Sequence, residues 1–198
     1  KLMTSLPNLL TLGRIALIPL IIILLYIPAS WAAWTALFFY VIACATDYVD
    51  GYLARRMNEV SDIGKFLDPI ADKIMVGSLL IALAAMDRLA GIWVIAAIVI
   101  LVREFLVSGL REYLGPKNVK LPVSKMAKWK TTLQMIALGF LIMGPFGNSV
   151  LPYTLLIGQI GLTIAAILTV VTGWGYLKAG FFHMRKPETP VEREIVDV

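Results

Sequence analysis

Four aspartates, Asp47, Asp50, Asp68 and Asp72, stand in two pairs within the stretch DYVDGYLARRMNEVSDIGKFLDPIAD, residues 47–72. The first pair is spaced i,i+3 and the second i,i+4, so on helices each pair shares one face. Long apolar runs flank the stretch on both sides. Like charges gathered near hydrocarbon repel one another, and ionised groups at such a depth need partners or a task. Carboxylate donors without His or Cys among them suit hard divalent cations such as Mg²⁺, Mn²⁺ or Ca²⁺. Two such ions neutralise four carboxylates, and two ions about 3.5–4 Å apart can clamp the attacking and leaving oxygens of a phosphoryl displacement. Gly51 and Ala54 remove side-chain bulk beside the acids, so a phosphate ligand can approach the backbone. Gly64, four residues before Asp68, does the same on the second segment. Arg55 adds a planar donor fork suited to phosphate. A lone aspartate at a helix end is an ordinary solvated cap; two pairs at helical spacing, with small residues and an arginine beside them, are a site.

The elements that must carry these acids follow from composition. Of 198 residues, 59% are hydrophobic and 16% charged, with a mean hydropathy of +0.82. A soluble domain has about 45–50% apolar and about 25% charged residues, so the excess points to membrane. Apolar runs near the roughly 20 residues of a bilayer span predict helices at Leu9 to Ile27, Trp31 to about Leu53, a start within Ser61–Pro69 to about Met86, Ile92 to about Leu114, about Ser124 to Met143, and about Tyr153 to Ala179. Pro69 is expected in the first turns of the third helix or at a kink. The fold class is therefore all-α, a polytopic integral membrane protein with about six transmembrane helices. Residues 1–182 form one catalytic domain with an interfacial lead-in, and 183–198 a polar cytoplasmic tail that reads as disordered. The first apolar run has no A-x-A-like exit, so no cleaved signal is expected. The single Cys44 leaves no internal disulfide, and no Cys/His spacing suggests zinc.

Charge has a side. Helices alternate in direction, so the N-terminus, the 54–65 connection, the 112–130 loop and the C-terminus share one face of the membrane. They carry nearly all Lys and Arg, whereas the opposite turns carry Arg88 alone. The positive-inside rule makes the basic side cytoplasmic. Alternation also gathers Arg14, the four aspartates, Lys73, Arg103, Arg111, Lys125, Lys130 and Lys178 at the cytoplasmic ends of their helices. A channel or cation transporter would spread its acids through the bilayer depth; these sit at one end. Net charge of +5 suits anionic lipid or anionic substrates, and no nucleic-acid partner is expected.

The pattern D47-Y-V-D50-G51-Y-L-A54-R55, then G64-K-F-L-D68-P-I-A-D72 after eight intervening residues, resembles the signature of the CDP-alcohol phosphotransferase family at every fixed position. The resemblance implies that family's fold, transfer of a phosphatidyl group from a CDP-linked lipid to an alcohol with release of CMP, and Mg²⁺ or Mn²⁺, two ions per site. It implies metal ligation by Asp47, Asp50, Asp68 and Asp72, with Asp72 also the general base. It places the CDP-lipid against Asn8, Thr11, Asp47, Gly51, Ala54, Arg55 and Gly64, and implies a homodimer among membrane lipids. A bacterial inner-membrane location, with active site and both termini cytoplasmic, follows from resemblance and charge together. No Ser, Cys or His is placed as a covalent nucleophile, so a direct displacement is expected.

The signature leaves the acceptor open. Arg103 and Arg111, eight residues apart, lie on roughly one helix face, and Lys125 or Lys130 could join them from the next helix. Such a second anion site implies an acceptor that itself bears phosphate. The segments P7-N8-L-L-T11-L-G-R14, R103-E-F-L-V-S-G-L-R111-E and K128-W-K130-T131-T-L-Q134 resemble those family members that use CDP-diacylglycerol and glycerol 3-phosphate. The same chemistry on inositol phosphate or phosphatidylglycerol is the alternative, with a divalent-cation transporter behind it. Arg14 reads either as a site residue or as an interfacial side chain that snorkels. Lys117, Lys120 and Lys128 read as topology charges, Cys44 as a small core residue, His183 as interfacial. Gly158, Gly161, Gly173 and Gly175 suggest close helix packing, a dimer contact included.

Overall fold

A computed structural model describes residues 6–57, 62–114 and 125–184, with side chains described from residue 9 onward except for 47–66, 68, 115–125, 127, 176 and 179–198. Every regular element among the described residues is helical: α1 Leu6–Leu25, α2 Ser30–Met57, α3 Asp62–Ala85, α4 Trp93–Leu114, α5 Lys125–Met143 and α6 Thr154–Met184, with a 3₁₀ turn at Gly144–Ser149. The expected order and number of helices are present. α2 runs about one turn past the expected Leu53, so the whole of D47–R55 is helical. α6 extends to Met184, and the expected disordered tail from Arg185 lies outside the described residues. Pro69 sits inside α3, and the Lys73 ammonium donates to its carbonyl at 3.0 Å.

Each helix buries one stripe at 3–4 residue spacing, the period that keeps side chains on a common face. In α1 the stripe is Thr11, Arg14, Ile18, Ile21 and Leu25; in α2, Ala36, Tyr40 and Ala43; in α3, Met75, Leu79 and Leu83. In α4 it includes Ala96, Ile100 and Val107, and in α5 Lys130, Gln134, Ala137 and Leu141. The stripes decide the neighbours. α1 packs along α2 and α3, α2 joins α5, α5 runs along α6, and α4 lies on α6; α3 touches α4 and α5 only lightly. The outward faces stay apolar: Ile81, Ile98, Phe105, Ile164 and Ile167 are all exposed, as hydrocarbon but not water would favour. Trp93–Leu114 and Thr154–Gly175 are long and apolar enough by themselves to cross a bilayer.

Small residues set the closest approaches. A Cβ at Gly158 would lie 2.9 Å from Leu141 Cγ and 3.0 Å from its backbone nitrogen, and one at Gly161 would lie 3.2 Å from the Ala137 Cβ. These glycines let α6 sit against α5 within the chain. Gly173 faces Arg103 of α4 instead, and Gly175 meets nothing within 4 Å among the described residues. Three of the four α6 glycines are therefore accounted for by packing inside one chain.

Arg88, the lone cation of the opposite turns, is buried. Its guanidinium Nη1 donates to the carbonyls of Leu141, at 2.9 Å, and Ile142. A cation at the carbonyl end of a helix satisfies acceptors that have no intrahelical donor and meets the negative end of the helix dipole. Gly144, at φ +52, leaves room for it, since a Cβ there would lie 3.1 Å from the guanidinium. Gln159 of α6 donates to the Arg88 carbonyl at 2.9 Å. One side chain thus ties the α3–α4 turn to α5 and, through its own backbone, to α6. Arg88→Leu removes charge-assisted bonds worth about 1.5–3 kcal/mol each. It is expected to lower the thermal unfolding midpoint of the detergent-solubilised protein clearly; an unchanged midpoint would contradict the capping role.

Candidate active site

The buried stripes run into the charged residues. Asp47 and Asp50 continue the α2 stripe Ala36, Tyr40, Ala43 at steps of four and three residues, and Asp68 and Asp72 precede Met75 and Leu79 on the α3 stripe in the same way. In helical register both aspartate pairs therefore continue the buried stripes of α2 and α3. Of the four acids, only the side chain of Asp72 is described. Arg14 Nη1 lies 3.7 Å from its Oδ1. Arg14 is 1% exposed and stands on the inward face of α1 next to Thr11, also buried. The burial decides against a side chain that snorkels to the interface: Arg14 stays inside the bundle, beside the Asp72 carboxylate. The contact is an ion pair between a buried guanidinium and a carboxylate whose side chain is 49% exposed.

A second charged cluster joins α4 and α5. Arg103 Nη1 donates to Glu104 Oε1 at 3.1 Å, and the Lys130 ammonium donates to the same oxygen. Lys130 is 3% exposed. Across from them, a Cβ at Gly173 would lie 3.1 Å from Arg103 Cγ, so α6 closes on the stem of the arginine. Gln134, one turn deeper on the Lys130 face, is buried, and its Oε1 has no hydrogen-bond partner among the described residues.

Contacts between helices put both clusters at one level. Gly77 of α3 faces Leu101 of α4, the Tyr40 hydroxyl of α2 donates to the Met135 carbonyl of α5 at 2.9 Å, and Leu37 of α2 lies against Gly139 of α5. At a rise of about 1.5 Å per residue, Asp72 lies about 8 Å and Arg103 about 3 Å beyond the first of these levels, and Asp47 about 10 Å and Lys130 about 8 Å beyond the second. All move toward the same end of the bundle. The structure thus brings Arg103 and Lys130 together and sets Asp72 with Arg14. Arg111 lies two turns further along α4 and is exposed, away from the Arg103 contact. Eight residues leave about 80° between two positions of a helix, and α4 turns the second of them outward. Lys125 opens α5; its side chain, like those of Asn8, Gly51–Arg55 and Gly64, lies outside the described residues. Two contacts had no place in the sequence reading: that of Arg14 with Asp72, and that of Glu104 with Arg103 and Lys130. The signal for Glu104 was present, as an acid beside Arg103 on a helix otherwise apolar at that depth. Cys44 packs against the hydrophobic core, as its size suggested.

Among the described residues the chain is an all-helical bundle that carries the segments Asp47–Arg55 on α2 and Gly64–Asp72 on α3. A family model described as CDP-alcohol phosphatidyltransferase matches residues 4–173. The chain is 49% identical over 177 residues to a CDP-diacylglycerol–glycerol-3-phosphate 3-phosphatidyltransferase of Rickettsia typhi, covering 89% of this chain and 97% of the relative. Proteins of the same name from Bacillus subtilis and Shigella flexneri are 39% and 33% identical, over 88% of this chain and 94% and 92% of theirs. The chain belongs to the CDP-alcohol phosphatidyltransferase family.

The Arg14–Asp72 pair generates a direct prediction. Arg14→Gln removes the charge beside Asp72 and is expected to lower phosphatidyl-transfer turnover about tenfold, the equivalent of about 1.4 kcal/mol in the barrier. Arg14→Lys should recover part of it. Turnover unchanged in Arg14→Gln would show that the pair does not organise the site.

Proposed function

We propose that the protein transfers the phosphatidyl group of CDP-diacylglycerol to sn-glycerol 3-phosphate, giving phosphatidylglycerol phosphate and CMP. The observation that carries this reading is the pairing of two clusters of opposite sign at one end of the bundle: acids on α2 and α3, and Arg103 with Lys130 on α4 and α5. A single anionic substrate needs one cationic site. A CDP-lipid and a phosphate-bearing alcohol need two, one that the acids would make with bound divalent ions and one at Arg103 and Lys130, and the names of the relatives carry both substrates.

The donor set fits divalent ions, since Asp47, Asp50, Asp68 and Asp72 supply oxygen donors alone from two adjacent inward faces. When bound there, Mg²⁺ or Mn²⁺ would neutralise the pyrophosphate and stabilise the departing CMP. The rest is work for the chain. Gly51 and Ala54 admit the nucleotide-linked pyrophosphate to the α2 backbone, Arg55 donates to it, and Asn8, Thr11 and Gly64 line the same substrate. Arg103 and Lys130, with Arg111 and Lys125 toward the solvent end, receive the acceptor phosphate and aim its primary hydroxyl at the lipid. Asp72, held by Arg14, takes the hydroxyl proton. The oxygen then bonds to the β-phosphorus while the bond from that phosphorus to the CMP oxygen breaks, and CMP carries away the electron pair. No Ser, Cys or His contributes a covalent step.

The exposed apolar faces and the charge asymmetry support six spans in a bacterial inner membrane, with the charged end and both termini cytoplasmic. The family resemblance supports a homodimer. A membrane-embedded site at this depth lets the lipid tails stay in hydrocarbon while the headgroup meets the acids.

The test is transfer by the purified protein from CDP-diacylglycerol with a panel of acceptors. Glycerol 3-phosphate should give CMP and phosphatidylglycerol phosphate in equal amounts, whereas inositol phosphate and phosphatidylglycerol should give little; a preference for either of the latter would replace the acceptor. Asp72→Asn should reduce turnover by several orders of magnitude with CDP-lipid binding retained, and full activity would remove its role as base. Arg103→Ala should raise the glycerol 3-phosphate KM about tenfold or more and leave the CDP-lipid KM nearly unchanged. Equal effects on both would contradict two separate pockets.

A further inference from the structure

We propose that Glu104 is a positioning residue that sets the acceptor-phosphate pocket by holding Arg103 and Lys130 on one carboxylate oxygen. The proposal rests on the reading of those two cations as the acceptor site. Consecutive helical residues point about 100° apart and do not normally face each other. Even so, Arg103 Nη1 reaches Glu104 Oε1 at 3.1 Å, and Lys130 from α5 reaches the same atom. Two cations of different helices therefore converge on a single point. Like charges this close would otherwise spread apart.

The surroundings explain why the acid is needed. Lys130 is almost fully buried and Arg103 is mostly so, whereas Glu104 keeps the largest exposure of the three side chains. A buried lysine without an anion is costly, and its flexible four-carbon stem has no planar fork to fix its direction. Glu104 supplies both the counter-charge and the direction. On the other side, α6 passes so close at Gly173 that the stem of Arg103 is confined. The guanidinium is thus bounded by α6 and anchored by Glu104, and the ammonium is drawn to the same place.

The triad carries a net single positive charge. An ammonium has three donors and a guanidinium five, so each cation has donors beyond the one that serves Glu104. A phosphate would be received by two cations already held at a set spacing, with less side-chain ordering to be done on binding. Without Glu104 the two cations would carry more charge but lose their shared anchor. The proposal is that orientation outweighs charge: removal of the negative group weakens phosphate binding although it makes the pocket more positive.

Steady-state kinetics on the purified full chain decide the matter. Glu104→Gln keeps the shape and removes the charge. It is expected to raise the KM for glycerol 3-phosphate about tenfold and to leave the KM for CDP-diacylglycerol within about twofold. Glu104→Asp, which keeps the charge on a shorter stem, should fall between Glu104→Gln and the parent protein. A merely structural loss would lower the active fraction without separating the two KM values, and that result overturns the proposal. Lys130→Ala provides the second axis: Glu104→Gln should raise the acceptor KM by a smaller factor in Lys130→Ala than in the parent protein, because part of its effect runs through that lysine and the rest through Arg103. An unchanged or lower acceptor KM in Glu104→Gln, with a raised one in Lys130→Ala, overturns the positioning role and leaves the pocket standing. No change of acceptor KM in either Lys130→Ala or Arg103→Ala overturns the pocket itself, and the proposal with it.

Discussion

A charge inside an apolar bundle must be paired, and most of what is specific about this structure follows from that constraint. Arg14 and Lys130 are almost completely buried, on helices whose other buried residues are apolar except for Thr11 and Gln134. Each is held by an acid from another helix: Arg14 by Asp72 of α3, and Lys130 by Glu104 of α4. Removing the acid of such a pair leaves a cation in the apolar interior without its counter-charge. The pairs therefore fix how α1 stands against α3, and α4 against α5, at the level where the chemistry is placed. At the opposite end the same constraint is met differently. Arg88 has no acid partner among the described residues and uses the carbonyls that end α5.

Packing makes these pairings possible. Ala32, Ala36 and Ala43 on α2 and the glycines of α6 keep the helix axes close, so that short contacts such as Arg103 against Gly173 form across the bundle. In hydrocarbon, where apolar side chains gain nothing by leaving lipid, small residues and polar contacts are what distinguish one helix arrangement from another. The bundle is thus an apolar frame whose inward stripes change character along their length, from aliphatic at one end to charged at the other. All four aspartates of the signature lie on α2 and α3 rather than in a connection between helices.

Much of this was legible in the sequence, and the exceptions have physical causes. The helix order and the paired aspartates were readable because both depend on a helical period and a bilayer length. The ends were less so: α2 continues to Met57 because hydropathy marks where hydrocarbon stops, not where a helix does. Arg14 was ambiguous since its partner lies 58 positions away and arginines at such a depth commonly reach for the interface. Arg88 looked like an exception to a charge count, yet its contacts are backbone carbonyls 53 and 54 residues on, which no charge pattern reveals. Arg103 and Arg111 looked equivalent at eight-residue spacing, but the residual rotation turns Arg111 to the surface. Glu104 was passed over because neighbours in a helix usually diverge, and only the arrival of Lys130 on the same oxygen gives it a role.

The central claim is that all charged helix ends meet on one side of the membrane and that transfer happens there. Proteoliposomes of uniform orientation, with CDP-diacylglycerol in both leaflets, test it through an acceptor that cannot cross the bilayer. Glycerol 3-phosphate added outside should release CMP when the basic face of the protein points outward, and should do so for the reverse orientation only after the vesicles are permeabilised. Equal CMP release from both orientations of sealed vesicles would contradict a one-sided site.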